Sequence, residues 1–248
     1  MNINDQYRTD ANLRARIELH QRFRTTDEDW HRWLFDRVAP GENARILEVG
    51  CGPAEFWKQN LDRIDPSWQI TLSDQSEGMI HAAEEVLGDR AAYVVADVQD
   101  LPFADGSYDV VFAHHMLYHA DDRPKALAEI ARVLVSGGAL HAATNGLGHL
   151  EELAALYAKE LFPRHAGHFG IETGPPQLEP FFTDIEVEPL DGELRVTEVE
   201  PVLAYIRSSV VYDGAPLDET AAIVREAIER EGAFRIRTRA GVIHARKP

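Results

Sequence analysis

Positive charge is scarce in this chain: its 248 residues carry 25 Lys and Arg against 42 Asp and Glu, a formal net charge of −17. Long-range repulsion of polyanions follows, so a nucleic-acid partner and an anionic membrane surface are disfavoured. The nearest basic run holds Arg235, Arg237, Arg239, Arg246 and Lys247. Arginines at every second position have the spacing of a solvated strand face rather than of a binding patch. Cysteine is nearly absent, and the single Cys51 excludes an internal disulfide framework and a cysteine-based zinc cluster. No metal site is expected. Set between two glycines, Cys51 reads as a small residue that fits a tight turn rather than as a nucleophile. Apolar runs are short: none approaches the roughly 20 residues of a membrane helix. The polar start MNINDQYRTD lacks a signal-peptide core, which points to a cytoplasmic protein without a membrane partner.

What is present is alternation. Strand-like segments at 45–49, 68–73, 92–96, 108–113 and 138–144 are separated by helical patterns at 54–63, 77–87 and 122–134. This predicts an α/β fold with a doubly wound, mostly parallel sheet and right-handed crossovers. Before it, Leu13, Ile17, His20 and Phe23, then Trp30, Trp33, Leu34 and Val38, keep helical spacing, with a stop and fresh N-cap expected at Thr25 to Asp27. After it come a helix from about 148 to 161, an irregular His, Gly and Pro-rich stretch at 163–176, and a strand at 184–189. An Asp191-Gly192 turn, a capping box of Thr197 and Glu200, a helix at 217–231 and a final β segment at 233–246 follow. Three parts are therefore expected: a helical lid over 1–40, a core over 41–146, and an inserted cap with two strands completing the sheet over 147–248. In the lid, Tyr7, Phe23, Trp30 and Trp33 either line a ligand pocket or pack against the sheet.

Chemistry concentrates at the carboxyl ends of the strands, where open parallel sheets bind ligands. The run ILEVGCGP ends a buried strand in Glu48 and then the pair Gly50 and Gly52, which frees the chain to turn and lets a ligand approach the backbone. Asp74 closes WQITLSD, the place where an acid accepts from both hydroxyls of a ribose; the alternative is an N-cap, a role Ser76 could equally fill. Asp97 in YVVADVQDLPF can accept from an exocyclic adenine amine with Val98 beside the ring, or be an ordinary turn aspartate. The fourth strand, YDVVFAHHMLYHA, delivers His114, His115, Tyr118 and His119 together.

Over about residues 44–146, ILEVGCGP, LSDQSEGMI, ADVQDLPFADGSYDVV and LAEIARVLVSGGAL together resemble the class I S-adenosylmethionine-dependent methyltransferases. Within them the chain is most similar to the small-molecule enzymes with a methyltransferase-11-like domain. The resemblance implies a Rossmann-like sheet of seven strands and S-adenosyl-L-methionine as cofactor. It also implies that Glu48 organises the methionine end, that Gly50 and Gly52 line it, and that His114 lies beside it. Asp74 would bind the ribose, Gln75 and Met79 would lie near the adenine, and Asp97 and Val98 would read its edge. The chain departs from the usual third glycine at Ala54. A dehydrogenase fingerprint fits less well, since it would need glycine where Glu55 stands.

The implied reaction moves a methyl group to an N, O or C nucleophile of a small-molecule metabolite, which must lose a proton. His115, His119 and His20 are the leading candidates for the base, with His149, His165 and His168 behind them. The alternatives are a non-catalytic partner subunit that keeps the cofactor pocket, and an NAD-dependent oxidoreductase. A monomer or homodimer is expected.

Overall fold

The computed structural model describes residues 10–26, 28–157, 168–209, 212 and 214–248, with side chains from residue 15 onward. Tyr7 and His165 lie outside the described residues. The chain forms two compact units: a larger one of Glu28–Leu147, Ala166–Pro189 and Ala240–Pro248, and a smaller one of Met1–Asp27, Gly148–His165 and Leu190–Arg239. This partition differs from a lid, core and cap read along the chain. Residues 28–40 fold with the core, while both ends of the smaller unit come from distant sequence.

The larger unit is built on a sheet of seven strands in the order β3-β2-β1-β4-β5-β7-β6. These are β1 (Arg45–Val49), β2 (Gln69–Asp74), β3 (Ala91–Val95), β4 (Tyr108–His114), β5 (Leu134–Asn145), β6 (Thr183–Val196) and β7 (Phe234–Arg246). The first five run parallel, and β7 pairs antiparallel with β5 over Ala139 to Asn145. Successive residues of a strand face opposite sides, so the register sorts two rows. Leu47, Val111, Leu140 and Ala245 align across one face, and Leu72, Glu48, Phe112, His141 and His244 across the other.

Two short helices of this unit, α2 (Trp30–Phe35) and α3 (Glu55–Lys58), and the longer α4 (Glu77–Leu87) and α5 (Arg123–Val133) have clear causes. Asp29 caps α2 by accepting from His31 and Arg32 N–H, two residues beyond the stop expected at Thr25 to Asp27. The helix predicted to run to 63 ends at Lys58 because the Asn60 amide donates to the Phe56 carbonyl at 2.8 Å and the His31 carbonyl at 3.1 Å. Ser76 caps α4, and Asp122 caps α5 ahead of Pro124. Ala126, Leu127 and Ile130 of α5 are fully buried in the apolar cluster that includes Leu47, Val111 and Leu140.

The smaller unit holds α1 (Asp10–Phe23), α6 (Glu151–Tyr157), α8 (Val199–Arg207) and α9 (Asp218–Glu231); α7 (Pro175–Leu178) belongs to the larger. Leu19, Phe23, Leu153, Leu194, Val202, Ile206, Val224 and Ile236 form its core, and Phe23 also borders a surface cavity with Arg22, Thr25, Arg195 and Glu198. Two local expectations are corrected here. Asp191 and Gly192 do not turn but lie within β6, where a Cβ at Gly192 would meet the Thr238 hydroxyl at 2.8 Å; the glycine answers close approach by a neighbour. No capping box forms: the N-cap of α8 is Glu198, without a side-chain bond, and Glu200 pairs with Arg207. Arg235, Arg237 and Arg239 pair with Glu193, Glu152 and Asp191. No helix among the described residues is long and apolar enough to cross a membrane.

Candidate active site

The turn after β1 is built from three left-handed residues, Gly50 (φ 62°), Gly52 (φ 53°) and Ala54 (φ 58°). A Cβ on Gly50 would lie 2.7 Å from the Met116 Cβ, so glycine is required there by contact as well as by conformation. Around Gly52 nothing lies within 4 Å of such a Cβ, leaving the backbone open to a ligand. Ala54 is fully buried and holds a conformation that glycine adopts at lower cost, about 1 kcal/mol. Cys51 is buried, and desolvation pushes its thiol far up, so it stays protonated and fills the turn.

Asp74 reaches this turn directly. Its Oδ2 accepts from the Gly52 N–H at 3.0 Å and its Oδ1 from the Ser76 N–H at 2.9 Å. Burial raises its pKa from the ordinary carboxylate value, and the two N–H groups counter that shift. Capping of α4 falls to Ser76, whose hydroxyl accepts from the Met79 N–H at 3.4 Å, which leaves Asp74 to the turn. Gln75 is exposed and Met79 half-buried beside it. Beyond β3, Asp97 is exposed and accepts from the Gln99 backbone and side-chain amides at 2.8 and 3.0 Å, with Val98 buried next to it.

Glu48 meets two side chains of the larger unit. The residue is 2 % exposed, its carboxylate accepts from the Trp57 indole at 2.5 Å, and His114 Nδ1 lies 3.0 Å from the other oxygen. Phe56 and Phe112 flank the His114 ring, with centroids 4.7 and 5.2 Å away. Nε2 of His114 is buried without a hydrogen-bond partner among the described residues, and so is Nδ1 of His31 on α2. Neither His31 nor Trp57 was legible from the sequence: in WHRWLF only Trp30 and Trp33 stood out, as pocket-lining or packing residues, and EFWK read only as helix. Along the same face, His141 and His244 meet Nδ1 to Nδ1 at 2.6 Å, and Glu188 lies 3.3 Å from His244 Nε2. Burial, together with His244, His114 and Arg246, lowers His141 to about 3.

The base candidates fall in both units. His115, at φ 54°, donates its N–H to the Ala143 carbonyl at 2.8 Å and sets its ring 5.3 Å from Trp30 and 6.5 Å from Tyr118. His119 lies 4.5 Å from Tyr118, which stacks on His168 at 5.6 Å. His115, Tyr118 and His119 belong to the larger unit and share the loop after β4 with Met116, the residue that packs on Gly50. His20 lies in the smaller unit, stacked 6.0 Å from His149, whose Nδ1 accepts from the Arg239 N–H. Burial lowers His20 to about 4 and His149 to about 3, below the range from which an imidazole works as a base near neutrality.

A mostly parallel sheet with one antiparallel strand near its edge, a glycine turn after β1 and an acid closing β2 against that turn make a Rossmann-like fold. Residues 47–142 match the family described as methyltransferase domain. A malonyl-[acyl-carrier protein] O-methyltransferase of Legionella pneumophila is 31% identical over 142 residues, 56% of this chain and 49% of that protein. A ubiquinone/menaquinone biosynthesis C-methyltransferase of Idiomarina loihiensis is 29% identical over 114 residues, 44% of this chain and 45% of the other. The chain thus spans about half the length of these relatives. Among solved structures, the YcgJ protein of Bacillus subtilis superposes with TM-score 0.61 at 15% identity, covering 88% of this chain and 97% of that one. Phosphoethanolamine N-methyltransferase 2 of Haemonchus contortus, in complex with S-adenosylhomocysteine, gives 0.62 at 21%, covering 99% and 59%.

Proposed function

We propose that the protein transfers a methyl group from S-adenosyl-L-methionine to an N, O or C nucleophile of a small-molecule acceptor. The observation that carries this reading is the Gly52 turn: open space over its backbone, with the Asp74 carboxylate 3.0 Å from its N–H. A glycine-bared backbone beside a half-buried acid suits a ligand that joins a carboxylate-bearing chain to a ribose. When bound, the cofactor would supply a methyl group on a sulfonium, already activated for in-line displacement. The protein's share is then orientation and exclusion of water. Gly50 and Gly52 would hold the methionine end, Asp74 the ribose hydroxyls, and Asp97, Val98, Gln75 and Met79 the adenine. His115 or His119 would take the acceptor's proton, since both stand on the loop whose Met116 covers Gly50.

Titration calorimetry with S-adenosylhomocysteine tests the cofactor half. Wild type should bind, and Asp74→Ala should weaken binding by about tenfold or more, the loss expected for hydrogen bonds to a charged group. NAD should not bind. Incubation with methyl-labelled cofactor and a panel of metabolites tests turnover; binding without transfer to any acceptor would favour a non-catalytic subunit.

A further inference from the structure

The smaller unit carries a surface cavity of about 750 Å³, lined by Arg22, Arg24, Thr25, Arg195, Thr197 and Glu198 beside Phe23. That volume falls in the range of small-molecule sites, roughly 300–1,000 Å³. Two segments distant in sequence build it. Arg24 pairs antiparallel with Leu194, and the Thr25 N–H and hydroxyl donate to the Glu193 carbonyl at 3.0 and 3.1 Å, which pins the end of α1 to β6. Leu194 and Val196 are buried in the core of this unit, so Arg195 between them faces outward. Arg22 is held by Glu18 at 2.8 Å and Glu198 at 2.5 Å, with its guanidinium 4.9 Å from the Phe23 ring centre. Arg235, Arg237 and Arg239 each meet an acid as well. Arg195 does not: neither its guanidinium nor the Thr197 hydroxyl has an ion-pair or hydrogen-bond partner among the described residues. Three guanidiniums and one carboxylate thus line a single cavity on a chain of net charge −17. No side chain caps the nine-residue α8, which starts directly after Thr197 and Glu198, so the positive end of its dipole adds to the local field. Guanidinium forks and hydroxyls match the oxygens of phosphoryl and carboxylate groups. A long polyanion is repelled by the chain as a whole, whereas a small anion responds to charges within a Debye length, about 8 Å at physiological salt.

We propose that this cavity binds a small organic dianion, with Arg195 and Thr197 as its direct contacts and Arg22 and Arg24 supplying the surrounding positive charge. Two sources share this chemistry: a phosphate monoester and a dicarboxylate. The site does not rest on the methyltransferase reading. Its residues belong to the smaller unit, whereas the glycine turn, Asp74 and Asp97 belong to the larger.

Titration calorimetry at constant ionic strength tests it, with glycerol 1-phosphate and succinate as probes and uncharged glycerol as the blank. Tighter binding of the phosphate assigns the site to monoesters, tighter binding of succinate to dicarboxylates, and equal binding to dianions as a class. Arg195→Gln should weaken the preferred probe by about tenfold or more, the loss expected for hydrogen bonds between charged groups, and Thr197→Val by about threefold or more. Neither substitution removes a contact made among the described residues, and thermal melting without probe should show both variants folded as wild type. The control is Arg90→Gln, which makes the same charge change in the larger unit, where Arg90 is exposed and donates to the Leu61 carbonyl at 3.3 Å. It should leave binding within about twofold, since an exposed charge beyond a Debye length is screened. Absence of binding by either probe at millimolar concentration overturns the proposal. So does binding that the folded Arg195→Gln variant weakens no more than Arg90→Gln does.

Discussion

On one face of the sheet, Leu47, Val111, Leu140 and Ala245 lie in register and are buried against α5; on the other, the adjoining row reads Leu72, Glu48, Phe112, His141 and His244. The two rows are one residue apart in each strand, yet their burial has opposite energetics. The first gains from every methylene removed from water. The second buries a carboxylate and imidazoles, which is tolerable only because each is hydrogen-bonded. Stability resides on the first face, and the candidate chemistry at the strand ends grows out of the second.

Substitution should separate the two faces. The largest effect is expected from Leu140→Ala, which leaves a cavity in a fully buried position and should lower unfolding free energy by about 2–5 kcal/mol in urea melts, without changing the slope. Close behind, Glu48→Leu strands the Trp57 and His114 donors and should cost about 2–4 kcal/mol. Replacing all three together, Glu48→Leu with Trp57→Phe and His114→Phe, should recover most of that loss, since no polar group is then left alone; a triple variant as unstable as the single would erase the distinction between the faces.

Acid reads the polar face more gently. The His141 pKa is lowered in the folded state to about 3 from an ordinary 6.5, so below pH 6.5 the unfolded chain takes up a proton that the folded one refuses. Stability from this group is therefore complete above pH 6.5 and declines as the pH falls towards 3. Between pH 6.5 and 5 the loss should be about 2 kcal/mol, at about 1.4 kcal/mol per unit. His141→Phe should flatten that part of the stability profile; an unchanged slope would show that His141 does not set it. The smallest effect belongs to the turn: Ala54→Gly relieves a left-handed alanine and should raise stability by about 1 kcal/mol, measured as a higher urea midpoint.

Much of the larger unit was legible in the sequence because its strands are covered on both sides and read as apolar runs. The segment predicted at 45–49 is β1 itself, and 77–87 is α4. The glycines and Asp74 were legible for a related reason: each stands directly at the end of such a run, so its place in the fold follows from its own strand. What escaped depended on partners distant in sequence. β5 begins at Leu134 rather than 138, and a Cβ at Gly138 would come within 3.1 Å of the Asp109 carbonyl on β4, where the register shifts. Gly192 answers Thr238, and the end of α3 answers an asparagine side chain. The pairing of Glu48 with Trp57 and His114 is of this kind: each residue type was visible, but their meeting required three elements to fold together.

The contact between Gly50 and Met116 ties the sequence history of two loops together. The space that a side chain at position 50 would need is filled from position 116, 2.7 Å away. A side chain at 116 and one at 50 would compete for the same space, and a smaller residue at 116 opens a hole beside the glycine turn. Mutations in these loops should therefore be epistatic, with the fitness of a change at 116 set by the turn it presses on. Directed evolution of the β4 loop would advance fastest in libraries that vary residues 115 and 117–119 while holding 50 and 116 fixed as a pair.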